Sequence, residues 1–390
     1  MSRKLENWLK GYEVYVEETE APRNFWFWGG IFTIAAALQR RVWLPYGLKN
    51  IYPNLYIMLV APPAGRKGDP ISLAKQMLEE LKLAVSVDST SKRALTKELE
   101  EISKTQTFYH NSRPRPQASM AIISKELSSL LAVDLKNMIE VLTDLFDSHD
   151  KWTYKTSSQG GDSIPGVCVS CFVATTPTWL SLNLPAEAIG GGYTSRNIIV
   201  YEEKNYKDVA IPPIPDIRIY TALLNDLNHI ASIVGEFRWA EDGEAYFRNW
   251  YPKLKLLKHQ IKDDRIHPYL GRLHVIAIKV AMALRVSYSD DLLITKFDIA
   301  RSIDLLVGIA KTSGDALGGV GSSKFGPLKE KIRMQIRSAG KVTEAQLIEW
   351  NYRDLEPDTF DNVITMLVRG GKIKEVIDEK GVRTFNHVEY

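Results

Sequence analysis

The sequence predicts a mixed α/β protein: a parallel sheet, helices on either side of it, and a small separate domain at the C-terminal end. Three observations lead there. Short apolar runs alternate with longer amphipathic segments between Leu55 and Tyr201. A proline-rich segment at 210–217 and a glycine- and serine-rich one at 313–326 interrupt the chain. Residues 327–390 read as three helices followed by two strands.

With 390 residues, 45% of them apolar and 25% charged, the chain has material for two or three globular domains. A net charge of +3 supplies no overall polycation, so any nucleic-acid contact has to come from local patches. Cys168 and Cys171 lie in GVCVSCFVA without a second cysteine pair or a nearby His cluster. They read as small residues of a buried strand, and nothing asks for an oxidising compartment.

Residues 1–50 are expected to form a helical, aromatic-rich collar. Within it FWFWGGIFTIAAAL, Phe25–Leu38, is shorter than the ~20 apolar residues a bilayer requires and runs into Gln39, Arg40 and Arg41. It also lacks the position, basic start and cleavage site of a signal peptide. A buried helix in a soluble, cytoplasmic protein follows, with no membrane partner.

Five strands are expected, at Leu55–Ala61, Ala84–Val87, Ser119–Ile123, Val167–Ala174 and Asn197–Tyr201. They make a nucleotide-binding core of residues 51–210. A helical lid over 211–312, a flexible linker over 313–326 and a winged-helix domain over 327–390 complete the order. No internal repeats occur.

The most informative stretch is LYIMLVAPPAGRKGDPISLAKQMLEEL, which reads as strand, loop and helix. A loop of that kind aims backbone N–H groups and the positive end of a helix at one spot, which suits a phosphate. Ala64, Gly65, Arg66, Lys67, Gly68 and Asp69 are the candidate binding residues. Gly65 and Gly68 permit close backbone approach, and Lys67 would reach the β- and γ-phosphates. The common P-loop pattern G-x-x-x-x-G-K-[ST] is not matched, since Ala61, Arg66 and Gly68 stand at its first Gly, second Gly and Ser/Thr. The strand–loop–helix context carries the reading instead. Asp69 before Pro70 has two readings, an N-cap followed by a first-turn proline, or a carboxylate presented to Mg²⁺.

From about Leu5 to Ser287 the chain resembles a family of phage- and plasmid-borne P-loop helicases and primase-helicases. The resemblance rests on FWFWGGIFTIAAALQRRVWL, YPNLYIMLVAPPAGRKGD, IISKELSSLL, LTDLFDSHDKWTYKT and GGYTSRNIIVYEE. Members often carry R-K-G-T in the loop, so Asp69 is the departure, and it bears on the metal more than on the phosphate. The resemblance implies an AAA+-like core that takes ATP and Mg²⁺ and works as a ring, with a hexamer expected.

A helicase-type ATPase needs a carboxylate at a strand end to polarise water and help hold Mg²⁺. Glu126, directly after the run ASMAIIS, is the candidate; Lys125 before it stands where such motifs often carry Asp. Its alternative is a helix-start glutamate favoured by the dipole. Thr175 and Thr176 end the next strand, where the resemblance places a polar residue that orients water or senses the γ-phosphate; turn chemistry before Pro177 is the alternative. Arg196 precedes the last core strand, and the resemblance implies an arginine finger acting on the neighbouring subunit's nucleotide; a surface arginine is the alternative. Arg272, on the helical segment HPYLGRLHVIAIKVAMALRVS, is expected near the phosphates, with His274 there for packing.

HDKWTYKTSSQGGDSIPG alternates aromatic and basic residues before the fourth strand. The resemblance implies a hairpin projecting into a central pore, with Lys151 and Lys155 on DNA phosphates and Trp152 or Tyr154 stacking on bases. A soluble structural hairpin is the alternative. In the winged helix the basic residues are scattered, and PDTFDNVITMLVRG is acidic at its start, which favours backbone binding or subunit packing over base reading.

The expectation is an ATP-dependent, ring-forming DNA helicase or translocase of mobile-element replication. One alternative is a helicase loader or switch that binds ATP and hydrolyses it weakly; another is a winged-helix transcription regulator. Neither a zinc-ribbon cysteine set nor an acidic polymerase-like domain points to primase activity, so a primase would be a separate chain.

Overall fold

Apolar runs without a polar face need cover on both sides, and in this chain they form the strands of a parallel sheet. The computed structural model describes residues 3–86, 90–154, 162–189, 191–317, 326–352, 357–377 and 381–388. Helices α1 (Trp8–Tyr15) and α2 (Arg23–Leu38) come first, then the antiparallel ribbon β1 (Val42–Tyr46) and β2 (Lys49–Ile51). Next are β3 (Tyr56–Val60), α3 (Gly68–Glu80), α4 (Lys92–Thr105), the hairpin β4 (Thr107–His110) and β5 (Arg113–Pro116), and β6 (Ala118–Ser124). They are followed by α5 (Leu127–Leu131), α6 (Leu135–Leu145), the hairpin β7 (Lys151–Tyr154) and β8 (Asp162–Pro165), β9 (Val167–Thr175) and, further on, β10 (Asn197–Tyr201).

The sheet has four strands in the order β10-β3-β9-β6, every pair parallel. The expected fifth strand is reduced to one bridge, Val85 to Ala121, made by Ser86 N–H to Ala121 C=O at 2.9 Å and Ala121 N–H to Ala84 C=O at 2.9 Å. Val87 lies outside the described residues. Two residues before Ala121 the β6 edge is met by Gln106, whose side chain donates to Ser119 C=O at 3.1 Å and accepts from Ser119 N–H at 3.0 Å.

α2 lies against this sheet rather than in a membrane: Phe32 stacks on Phe172 of β9, ring centroids 4.7 Å apart. No described helix is long and apolar enough to cross a bilayer. Beyond β10 the region is helical as expected, with long helices at Ile217–Ser232, His267–Val286 and Lys296–Ala316. The last of these runs into the segment expected as linker, so residues 313–316 are helix, and Ser313 donates to Ile199 C=O at 3.2 Å. Residues 318–325 of that segment lie outside the described residues.

The chain forms two compact units, one of residues 1–176 and 187–316, the other of residues 177–186 and 317–390. The stretches expected as collar, core and lid thus fall mostly in one unit, and a short piece after β9 falls in the C-terminal one. That second unit has helices Gly326–Ala339, Glu344–Asn351 and Pro357–Arg369 beside a three-stranded antiparallel sheet. The sheet includes Lys341–Thr343, a strand the sequence did not announce. Ile332, Ile336, Leu347, Phe360, Val363 and Phe385 form its own core.

Candidate functional site

β3 is buried at every residue and delivers the chain to the carboxyl edge of the sheet, between the tips of β9 and β10. In open parallel sheets ligands bind in the crevice outside those edges. The loop from Ala61 to Lys67 fills this place. Ala64 (φ 64°) and Arg66 (φ 50°) both hold left-handed backbone around Gly65. Such conformations cost about 1–3 kcal/mol each in residues other than glycine, and gather where function requires them. A Cβ on Gly65 would lie 2.6 Å from the Ala61 Cβ and 3.0 Å from the Pro62 oxygen, so the loop closes on itself there. Gly68 differs from the expectation: an added Cβ would meet nothing nearer than Lys125 Cδ at 3.8 Å.

Lys67 folds back over the loop and donates to the carbonyls of Ala61 at 2.9 Å and Pro62 at 2.8 Å. An ammonium has three N–H groups, so one stays available to a ligand. Burial lowers the Lys67 pKa, and the nearby Glu126 carboxylate opposes that. α3 starts at Gly68 with Lys67 at the N-cap and no side chain capping it. The amides of Gly68 and Asp69 have no intrahelical acceptor, Pro70 supplies no N–H, and the helix dipole adds to their positive field.

Asp69 is therefore the second helical residue rather than the N-cap. Its surroundings dehydrate the carboxyl and raise its pKa; Arg66 and Lys125 pull the other way, and Glu20 adds to the rise. Arg66 itself forms an ion pair with Glu20, a partner from before α2 that no motif signalled.

Glu126 follows β6 as the exposed N-cap of α5, its backbone fixed by Ser124, whose hydroxyl donates to Glu126 C=O at 3.0 Å. Thr175 is the buried last residue of β9, opposite Val60, and its carbonyl accepts from Ala61 N–H at 3.4 Å. Thr176 follows, half-buried. The loop, Glu126 and the two threonines so meet at one end of the sheet. Among the described residues no three His, Cys, Asp or Glu cluster as a metal site. Asp69, in the first turn of α3, and Glu126, at the start of α5, are the two candidate carboxylates.

Arg196 and Arg272 lie elsewhere. Asn197, the residue after Arg196, pairs with Tyr56 at the start of β3, five positions before Ala61. At about 3.3 Å per residue that is on the order of 16 Å from the loop. Arg196 is buried, donating to Asp147 Oδ2 and to Gly192 C=O, each at 2.9 Å. Arg272 belongs to this second cluster and not to the loop after β3. Burial and the Arg196 charge lower its pKa, and Asp147 offsets them.

The expected hairpin before β9 is present as β7–β8, with Lys151 exposed. Trp152 is not available for stacking: it is buried, its indole N–H donating to Asp144. Tyr154 pairs through its backbone with Asp162, and Lys155 lies outside the described residues. Cys168 and Cys171 are buried and free, and burial pushes the Cys171 thiol up to about 12. His274 packs against Tyr251, ring centroids 5.2 Å apart. No family model matches the chain, and no curated protein matches it either.

Proposed function

We propose that the chain is an ATP-driven motor, a ring-forming helicase or translocase acting on DNA in the replication of a mobile element. One observation carries the reading: Lys67, the uncapped N-terminus of α3, Glu126 and Thr175 converge at the carboxyl edge of a parallel sheet.

The loop fits a polyphosphate, with strained backbone closed around Gly65, a lysine N–H to spare and the uncapped amides of Gly68 and Asp69. In this reading the region is a P-loop core. Bound ATP with Mg²⁺ would supply the phosphoanhydride and the charge that holds its oxygens together. Lys67 and the α3 amides would hold the terminal phosphate oxygens, Glu126 would orient a water for in-line attack, and Thr175 or Thr176 would position that water. Asp69 and Glu126 are the carboxylates that would face the ion. Arg196 would act across a subunit boundary after leaving Asp147, which makes the working unit an oligomer, expected as a hexamer. Lys151 supplies a cation toward DNA, and the C-terminal unit, read as a winged helix, contributes backbone binding or subunit packing.

A second reading is a nucleotide-gated loader that hydrolyses slowly. The position of Asp69 favours it, because a carboxylate in the first turn repels the phosphates that the turn attracts. ATP turnover with and without single-stranded DNA, beside a Glu126→Gln variant, separates the two. DNA-stimulated turnover lost in the variant supports the motor. Binding without turnover supports the loader.

A further inference from the structure

A cleft of about 880 Å³ opens between the β1–β2 ribbon and the β4–β5 hairpin. The hairpin turns through Asn111 (φ 51°) and Ser112 (φ 59°), two left-handed residues in succession, the geometry that suits strand twist in a two-residue turn. Its register sets Phe108 opposite Arg115 and His110 opposite Arg113. The period of two along a strand then puts all four on one face, and all four line the cleft. Two rings and two guanidiniums share that face. Trp43, on β1, meets the His110 ring edge-on, centroids 4.9 Å apart.

The charges in the cleft do not cancel. Of its carboxylates, Asp150 is ion-paired with Arg40, and Glu236 lies 3.7 Å from Arg238. Arg113 and Arg115 are exposed and make no ion pair among the described residues. Such guanidiniums take phosphate oxygens in a fork, and rings beside them take the faces of unpaired bases. A duplex keeps its bases stacked on one another and offers those rings no partner. An acidic peptide would use the cations and leave the rings idle.

We propose that this cleft binds single-stranded nucleic acid, with Arg113 and Arg115 on phosphates and Phe108 and His110 against bases. The site joins the hairpin already expected to carry DNA. β5 leads into β6, β8 leads into β9, and Gly166 (φ 60°) approaches so closely that a Cβ there would lie 2.5 Å from the Pro116 oxygen. Lys151 thus belongs to a neighbouring hairpin on the same amino edge of the sheet, opposite the phosphate loop. The inference rests on the nucleic-acid half of the proposed function and is independent of ATP.

The test is fluorescence anisotropy of the full chain with labelled oligothymidylate and oligouridylate, over a salt series. Arg113→Ala with Arg115→Ala is expected to make the slope of log affinity against log salt shallower by about 1.4, from two phosphate contacts on a single strand. Phe108→Ala should weaken binding roughly 5- to 150-fold, from the stacking of one base. Phe108→Leu, which keeps an apolar side chain without the ring, should weaken it as well. The more strongly bound oligonucleotide identifies the natural strand. No binding by the wild type overturns the proposal, as do variants with unchanged affinity and slope, or polyglutamate competing through the same residues. If adenine nucleotide fails to bind while oligonucleotide binds through these residues, the proposed motor falls and the cleft stands.

Discussion

Arg196 donates to the Asp147 carboxylate at 2.9 Å within a single chain, so the arginine expected to serve a neighbouring subunit already has a partner at home. Burial alone would raise the Asp147 carboxyl. The hydrogen bond and charge of Arg196, with Arg272 and Lys279 behind them, outweigh it and hold the pKa below the ordinary range.

Arg196→Ala is therefore expected to destabilise the fold by about 1–3 kcal/mol, discounted because the Asp147 side chain is 36% exposed. The denaturant midpoint should fall with the slope unchanged. A depressed carboxyl stabilises the folded state above its unfolded pKa, and that contribution is lost as pH falls through the folded value. The variant should lack this part of the acid limb. An arginine acting purely in trans would leave the midpoint where it was.

The two loop glycines should respond differently. Gly65→Ala drives a Cβ to 2.6 Å from the Ala61 Cβ and is expected to cost about 1–3 kcal/mol and disturb nucleotide binding. Gly68→Ala meets ordinary contact and should stay within about 0.5 kcal/mol. Thermal midpoints of both variants check the contrast.

Lys279 is buried, donating to Asn54 Oδ1 at 2.5 Å with Phe146 C=O at 3.5 Å. Dehydration lowers its pKa from 10.5 to about 7; Cys168 and Asp147 oppose the shift, and Lys49 and Arg196 add to it. Between those values the unfolded chain holds the proton and the folded chain releases it. Stability from this group should rise with pH through that window, by up to about 1.4 kcal/mol per unit. Lys279→Met should flatten the rise in denaturant midpoints measured from pH 7 to 10. A rise that persists in the variant would assign it to other groups.

Trp152→Ala is expected to cost about 3–5 kcal/mol by emptying a packed site, and Lys151→Ala to change stability by no more than about 0.5 kcal/mol. Equilibrium unfolding of the two single variants measures the difference.

The strands were legible because a strand covered on both faces carries an unbroken apolar run, as in Leu55–Ala61 and Val167–Ala174. The loop was legible because Gly65 and Lys67 fall between such a run and an amphipathic helix. What stayed hidden depended on distant partners. The pairing of the Gln106 side chain with the Ser119 backbone leaves no local pattern. The alternation of aromatic and basic residues places Trp152 on a hairpin face, yet the sequence does not say that this face meets Asp144. The β4–β5 turn uses Asn111 and Ser112 without the glycine that usually marks a two-residue hairpin. The cluster around Arg196 assembles from residues on several segments far apart in sequence, so its burial was invisible.

The central claim is that the loop after β3 holds the terminal phosphates of a nucleotide with the ammonium of Lys67. Calorimetric titration of a non-hydrolysable ATP analogue into the wild type and Lys67→Met tests it directly. The wild type should bind and the variant bind at least roughly tenfold more weakly, the loss of one charge-assisted contact of about 1.5–3 kcal/mol, with the fold retained by circular dichroism. Equal affinity in the two proteins, or no binding by the wild type, would contradict the claim.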